Sequence, residues 1–235
     1  MWTITFLFFV IHIFLSNSQF YGGTISWRIP NPTNENGTLT IVITQTYIWS
    51  YSTMACDNTA ITGHSPITAS QGTLICVSSC PTDFGSVSTE VDCVDGSIFH
   101  NISVGQSSTE VTLQENSMFS IMYQGSPWSG LSISSNWSML SYINLVEKSN
   151  NTFNNAPIAT VISPIYIQEN KPTAIPISVY DPDGDIVRCR LATQSSSGDE
   201  CGTVCSTSIS LSSNCTVEIT GTVVNSVYPI TVMVS

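Results

Sequence analysis

Eight cysteines fall into two sets with one spacing pattern, and that pattern is the strongest constraint this chain places on its own fold. The first set is Cys56, Cys76, Cys80 and Cys93; the second is Cys189, Cys201, Cys205 and Cys215. Each set runs long gap, three-residue gap, long gap, and each is even on its own. In an oxidising compartment this reads as structural disulfides, with two domains stapled separately rather than one laced end to end. A zinc site takes its ligands as close pairs, and each set here offers one close pair and two distant singles. A redox pair is usually C-x-x-C at a helical turn, whereas "CVSSC" and "CGTVC" have three intervening residues in Ser-, Thr- and Val-rich surroundings. Four cysteines permit three pairings in each half, and the spacing leaves that choice open.

The compartment is argued from the start of the chain. A mostly apolar run from Ile4 to Leu15 is followed by Ser16-Asn17-Ser18, which reads as a signal peptide over 1–18 cleaved after Ser18. An uncleaved anchor is the alternative, and it would need an apolar stretch of around 20 residues. No later run is long enough to span a membrane, so the mature chain is not expected to insert into one. Sequons at Asn36, Asn101, Asn136, Asn150 and Asn214 agree with the secretory route and predict exposed loops or strand edges at those points.

Charged residues are 9% of the chain and hydrophobic ones 42%, with hydroxyl and β-branched residues in place of helix formers, so the expected class is all-β. "GGTISWRI" reads as a turn followed by alternation of Ile25, Trp27 and Ile29 on one face. "GTLTIVITQTYIW" alternates Leu39, Ile41 and Ile43, then passes through the polar Gln45 to Tyr47 and Trp49. "STEVTLQENSMFSIMYQG" reads as two strands around a hairpin turn at Glu115-Asn116. "NWSMLSYINLVEKSN" continues as strand up to the polar cluster beginning at Lys148. A boundary is expected where the Asn-rich stretch ends at Pro157. The reading is two disulfide-stapled antiparallel β-sandwich domains, 21–153 and 154–235. Strands in the second are expected near Ala159–Ile162, Ala174–Val179, Ile186–Leu191, Ser206–Leu211, Cys215–Thr220 and Ile230–Val234.

A net charge of −11 with five scattered basic residues argues against nucleic acid as a partner. His64 and His100 are the imidazoles outside the leader, and neither sits in a metalloprotease motif or near a nucleophile elbow. The expectation is therefore a protein that is not an enzyme. Most aromatics fall in phase with apolar alternation and belong to a core. Trp128, in "QGSPWSGL", lies in a loop, where it either folds back over its own sheet or stacks on a sugar or partner.

"VYDPDGDIVRCR" sets Asp181, Asp183 and Asp185 at alternate positions around Pro182 and Gly184. Such carboxylates are either solvated in an Asp/Pro/Gly turn or share a hard cation, for which calcium is the candidate. "NAPIATVISP" followed by "YDPDGDIV" resembles the polycystic-kidney-disease type of Ig-like domain. It is similar also to cadherin repeats, with Asn154-Asn155-Ala156-Pro157, Glu169-Asn170, and Asp181 with Asp183 matching the linker, the Glu-Asn pair and the Asp pair. Both resemblances imply an extracellular β-sandwich. The cadherin one alone implies a calcium site, at Glu169, Asp181 and Asp183; with Asp185 from the triplet, the candidate calcium residues are Glu169, Asp181, Asp183 and Asp185. The first half carries no family motif. The functional expectation is a secreted glycoprotein acting as an extracellular adhesion, matrix or recognition module that binds a protein or glycan. Alternatives are a carbohydrate-binding protein using Trp128, and an ectodomain piece of a larger receptor or hydrolase.

Overall fold

The computed structural model describes residues 20–30, 36–68, 71–131, 135–160, 163–195, 198–206 and 208–235. The expected signal peptide lies outside them, as do Val161, Ile162 and Thr207 of two expected strands. The chain is all-β, with antiparallel sheets, four disulfides and, among the described residues, one short helix. No helix among the described residues is long and apolar enough to cross a membrane.

The first half builds two sheets. One runs in the order β1 (Phe20–Arg28), β2 (Thr38–Ser50), β5 (Ile102–Gln114), β4 (Asp92–Ser97). The other runs β3 (Ile75–Ser78), β6 (Met118–Gly125), β7 (Trp137–Asn144). The expected alternation of β2 holds: Leu39, Ile41, Ile43, Gln45, Tyr47 and Trp49 are all buried, while Thr38, Thr40, Thr44 and Thr46 face outward and are only half-buried. β2 and β5 pair without interruption from Thr38–Gln114 to Ser50–Ile102. Their outer hydroxyls join across the strands, Thr40 to Thr112 at 3.0 Å and Thr44 to Ser108 at 3.1 Å. This is how a chain with few charges keeps a wettable outer face.

Two expectations about turns are corrected. Gly22 and Gly23 form no turn before β1; they lie inside it, at a bulge between Phe20 and Gly22. A side chain at Gly23 would collide with the Thr46 carbonyl and the Tyr47 ring, so the close approach of β1 to β2 requires glycine there. Glu115-Asn116 closes no hairpin either. β5 already has β2 and β4 on its two edges, and β6 has β3 and β7, so the turn carries the chain from one sheet to the other. Its two N–H groups are tied to both: Glu115 donates to Gly37 at 3.0 Å and Asn116 to Leu145 at 2.9 Å. Leu113 and Phe119, on either side of the corner, are both fully buried in the core the two sheets share.

That core is centred on aromatic rings. Phe20 stacks on Trp137 with centroids 3.9 Å apart and meets Trp49 edge-on at 4.9 Å. Tyr123 packs between Tyr47 and Trp137, at 4.9 Å from each. Trp27 donates its indole N–H across to the Tyr142 carbonyl at 2.8 Å. Five-residue helix α1 (Asn58–Thr62) sits outside the sheets, its first turn capped by the Asp57 carboxylate accepting from Ala60 N–H at 2.8 Å.

The second half is made of short strands. β8 (Ile158–Thr160) pairs with β10 (Ser178–Tyr180), and β14 (Ser210–Leu211), β15 (Thr216–Ile219) and β9 (Thr173–Pro176) form a three-stranded sheet. β11 (Cys189–Leu191) pairs with β16 (Val232–Val234), and β12 (Gln194–Ser195) with β13 (Gly198–Asp199). The halves touch at several points. Val204 is buried in the aromatic core of the first half, and Ala156 N–H bonds the Trp27 carbonyl at 3.0 Å.

Candidate functional site

The cysteines resolve into the nested pairing in both halves. Cys56 joins Cys93 and encloses Cys76–Cys80; Cys189 joins Cys215 and encloses Cys201–Cys205. No cysteine is free. In each half the outer bond ties two distant segments, and the C-x3-C pair closes a small loop. That loop needs left-handed backbone in both cases, at Ser79 (φ 51°) and at Gly202 (φ 64°).

The acidic loop is brought together as expected. Oxygens of Asp181, Asp183 and Asp185 lie within 4.8 Å of one another, with Asp183 and Asp185 exposed. Glu169 is not part of this group; it forms a bridge with Gly221. The three carboxylates have specific protein partners. Asp181 accepts the N–H groups of Asp183 at 2.8 Å and Asp185 at 3.3 Å, which is the self-bonded Asx turn these residues favour. Asp183 accepts the backbone and side-chain N–H groups of Asn155 at 2.6 and 2.8 Å. Asp185 accepts Lys148 at 2.9 Å. The hydrogen bond to Asp185, with the added field of Asp183 and Asp181, raises the Lys148 ammonium above its ordinary pKa.

Asn155, named in the sequence only as part of the cadherin-like linker, has a bridging role that the sequence did not reveal. Its side-chain oxygen accepts Ile29 N–H at the end of β1, at 2.7 Å. Its nitrogens hold Asp183. One amide thus joins the first half, the connecting segment and the acidic loop. The neighbouring Asn154, which matches the cadherin-like linker, instead donates to the Asn155 carbonyl at 2.9 Å.

Four of the five sequon asparagines, Asn36, Asn136, Asn150 and Asn214, are exposed. Asn101 differs. It is half-buried, and its amide nitrogen donates to Ser50 Oγ at 3.0 Å and Tyr21 Oη at 3.3 Å, while its oxygen accepts Ser52 N–H at 2.8 Å. That side chain braces the β4–β5 turn, where Phe99 is 94% exposed.

Trp128 is half-buried and meets Phe20 edge-on at 5.9 Å, while Ser129 N–H bonds the Phe20 carbonyl at 2.8 Å. This is the folded-back arrangement. Trp49 and Trp137 are buried with indole N–H groups that find no acceptor among the described residues. Burial holds the phenols in the protonated form: Tyr47 lies well above its ordinary value, and Tyr123 is pushed up to about 12 despite a hydrogen bond with Thr89 that acts the other way. His64 and His100 are exposed on loops and share no cluster with a cysteine or carboxylate among the described residues.

A cleft of about 350 Å³ lies between the halves. Gln124, Asn136 and Trp137 line it from one side and Gln194, Asp199 and Thr203 from the other. The β12–β13 hairpin that carries Gln194 and Asp199 is anchored by Glu200. This carboxylate takes a two-pronged contact from Arg190 at 2.6 and 2.7 Å and Thr193 N–H at 2.8 Å. The Arg190 bond leads the causes that hold the Glu200 carboxyl below its usual range. Apart from the sequon at Asn136, nothing in the sequence marked these residues, because they meet only when the halves pack.

No protein-family model, curated protein or solved structure matches this chain.

Proposed function

We propose that the chain is a secreted, N-glycosylated protein of two disulfide-stapled β-sandwich domains that acts as an extracellular adhesion, matrix or recognition module. The observation that carries this reading is the nested pairing of all eight cysteines, each set closed within its own half. Such pairing is stable in an oxidising compartment and is not kept in a reducing one. Exposed asparagines in four sequons support the same setting. Shallow hydroxyl-rich faces suit surface contact with a protein or glycan better than turnover of a small substrate. The folded-back Trp128 favours protein recognition over a tryptophan-based sugar site.

The test is expression through a secretory pathway, followed by mass spectrometry of the deglycosylated protein with thiols alkylated beforehand. The expected mass is eight hydrogens below that of the reduced chain, without alkylation. Immobilised protein is expected to retain cells, and Trp128→Ala to leave that retention unchanged. Alkylated thiols would overturn the secreted reading. Retention lost in Trp128→Ala, with glycan-array binding lost alongside it, would replace protein recognition with carbohydrate binding.

A calcium-dependent form of the reading rests on the three carboxylates within 4.8 Å. Calcium takes six to eight oxygens, so water and backbone carbonyls would complete the shell and Lys148 would have to leave Asp185. A calcium adduct in the native mass spectrum, absent in Asp183→Asn, supports it; identical spectra with calcium and with chelator discard it.

A further inference from the structure

The cleft between the halves has an occupant that the chain itself can supply. We propose that it is the seat of the N-linked glycan on Asn136, whose first 2-acetamido sugar lies between the two walls and buttresses one half against the other. This rests on the secretory reading above and goes beyond it by giving one glycan a structural role.

Several observations converge on Asn136. Asn136 is an exposed residue of the cleft lining, and its side-chain amide has no hydrogen-bond partner among the described residues, so the nitrogen that carries a glycan is available. Its backbone is held on both sides: Asn136 N–H donates to Thr203 Oγ1 at 2.9 Å, and its carbonyl accepts Thr203 N–H at 2.9 Å. Gly202 brings that strand close, since any side chain there would collide with the Asn136 carbonyl. The attachment point is therefore fixed at the seam, whereas Asn36, Asn150 and Asn214 lie in turns away from it.

The walls have the chemistry of a sugar. Gln124 and Gln194 offer amide donors and acceptors, and Asp199 a carboxylate oxygen. Asp199 uses Oδ1 to cap Cys201 and Gly202 N–H groups at 3.1 and 2.6 Å, while among the described residues its Oδ2 has only a long contact with Gln194 at 3.5 Å. A volume of about 350 Å³ is at the low end of ligand clefts, about 300–1,000 Å³, and would otherwise hold on the order of ten waters. A tethered sugar needs little intrinsic affinity to stay there, because attachment fixes its effective concentration.

The experiment uses the full secreted glycoprotein. Peptide N-glycosidase is applied without denaturation, and glycopeptides are followed over time. The glycan at Asn136 is expected to be released at least about tenfold more slowly than those at Asn36, Asn150 and Asn214, as for any bond reached only through local opening. In Gln124→Ala with Gln194→Ala, which leaves the Asn136 backbone bonds intact, it is expected to be released as fast as the others. Asn136→Gln is expected to lower Tm by ~2–4 °C, and Asn214→Gln to leave it unchanged. Equal release at all sites, an empty Asn136 beside occupied Asn36, Asn150 and Asn214, or no loss of Tm in Asn136→Gln would each overturn the proposal and leave the secretory reading standing. An absence of glycan at every sequon would overturn both.

Discussion

Gln45 shows what a single residue decides in this core. It stands on a face otherwise made of Leu39, Ile41, Ile43, Tyr47 and Trp49 and is fully buried. Its oxygen accepts the Tyr47 hydroxyl at 2.7 Å, and its nitrogen donates to the Ser88 carbonyl at 2.9 Å. Leucine fits the alternation better but leaves the buried Tyr47 hydroxyl unpaired, at about 1–3 kcal/mol, whereas the carbonyl of the exposed Ser88 can turn to water. Gln45→Leu is therefore expected to destabilise by about 1–3 kcal/mol, read from the urea midpoint at unchanged m. An unchanged midpoint would show that the network contributes nothing. The phenols nearby give a pH test. In the unfolded chain a tyrosine ionises near 10, whereas burial raises Tyr123 to about 12 and Tyr47 well above its ordinary value. The unfolded state thus loses its protons first. Stability is complete below about pH 10 and falls between 10 and 12, by up to about 1.4 kcal/mol per pH unit for each phenol. Tyr123→Phe is expected to make that decline shallower, measured as urea midpoints from pH 9 upward. A slope equal to that of the parent chain would remove Tyr123 from the account.

At the scale of elements, the two kinds of disulfide differ in what they can stabilise. Cys56–Cys93 spans 37 residues and Cys76–Cys80 only 4. The chain-entropy relation gives about 4 kcal/mol for the first and about 2 for the second. Replacing Cys76 and Cys80 together by serine is expected to cost no more than about 2 kcal/mol, and replacing Cys56 and Cys93 about twice that; thermal or urea unfolding reads both. Equal costs would mean that the small loop organises β3 beyond its closure entropy. The strand most legible in the sequence was β2, with one buried face, because period-two alternation records burial directly. The Glu115-Asn116 corner was not legible. A turn between two alternating runs looks the same whether the next strand pairs with the last or crosses to another sheet, and the choice is made by which edges other strands already occupy. The nested disulfides followed the same logic: their number was plain and their partners were not. Among the candidate sites, the Asp triplet could be read because its residues are adjacent in sequence. Asn155 and the cleft could not, since their partners lie up to 126 residues apart along the chain, as between Asn155 and Ile29.

For the whole molecule, the question is what keeps the halves in one arrangement. The Lys148–Asp185 pair is exposed at both ends, 35% and 57%, and such a pair contributes little in salt. Asn155 is the stronger candidate, because it is half-buried and satisfies the Ile29 N–H while holding Asp183. Asn155→Ala removes both side-chain contacts and is expected to cost about 1–2 kcal/mol. Asn155→Asp separates geometry from charge. The carboxylate can still accept from Ile29, but it now faces Asp183 with Asp181 and Asp185 close behind, and the repulsion adds to the lost donor bond. At low ionic strength Asn155→Asp is expected to be the less stable variant. In 1 M salt, where the screening length is about 3 Å, it should recover past Asn155→Ala, because the Ile29 bond then outweighs what repulsion remains. Unfolding midpoints of the two variants across a salt series decide it. If Asn155→Asp stays below Asn155→Ala at every salt concentration, the Ile29 bond is not what Asn155 contributes, and the halves must be held by the packing of Val204 and the strands around the cleft.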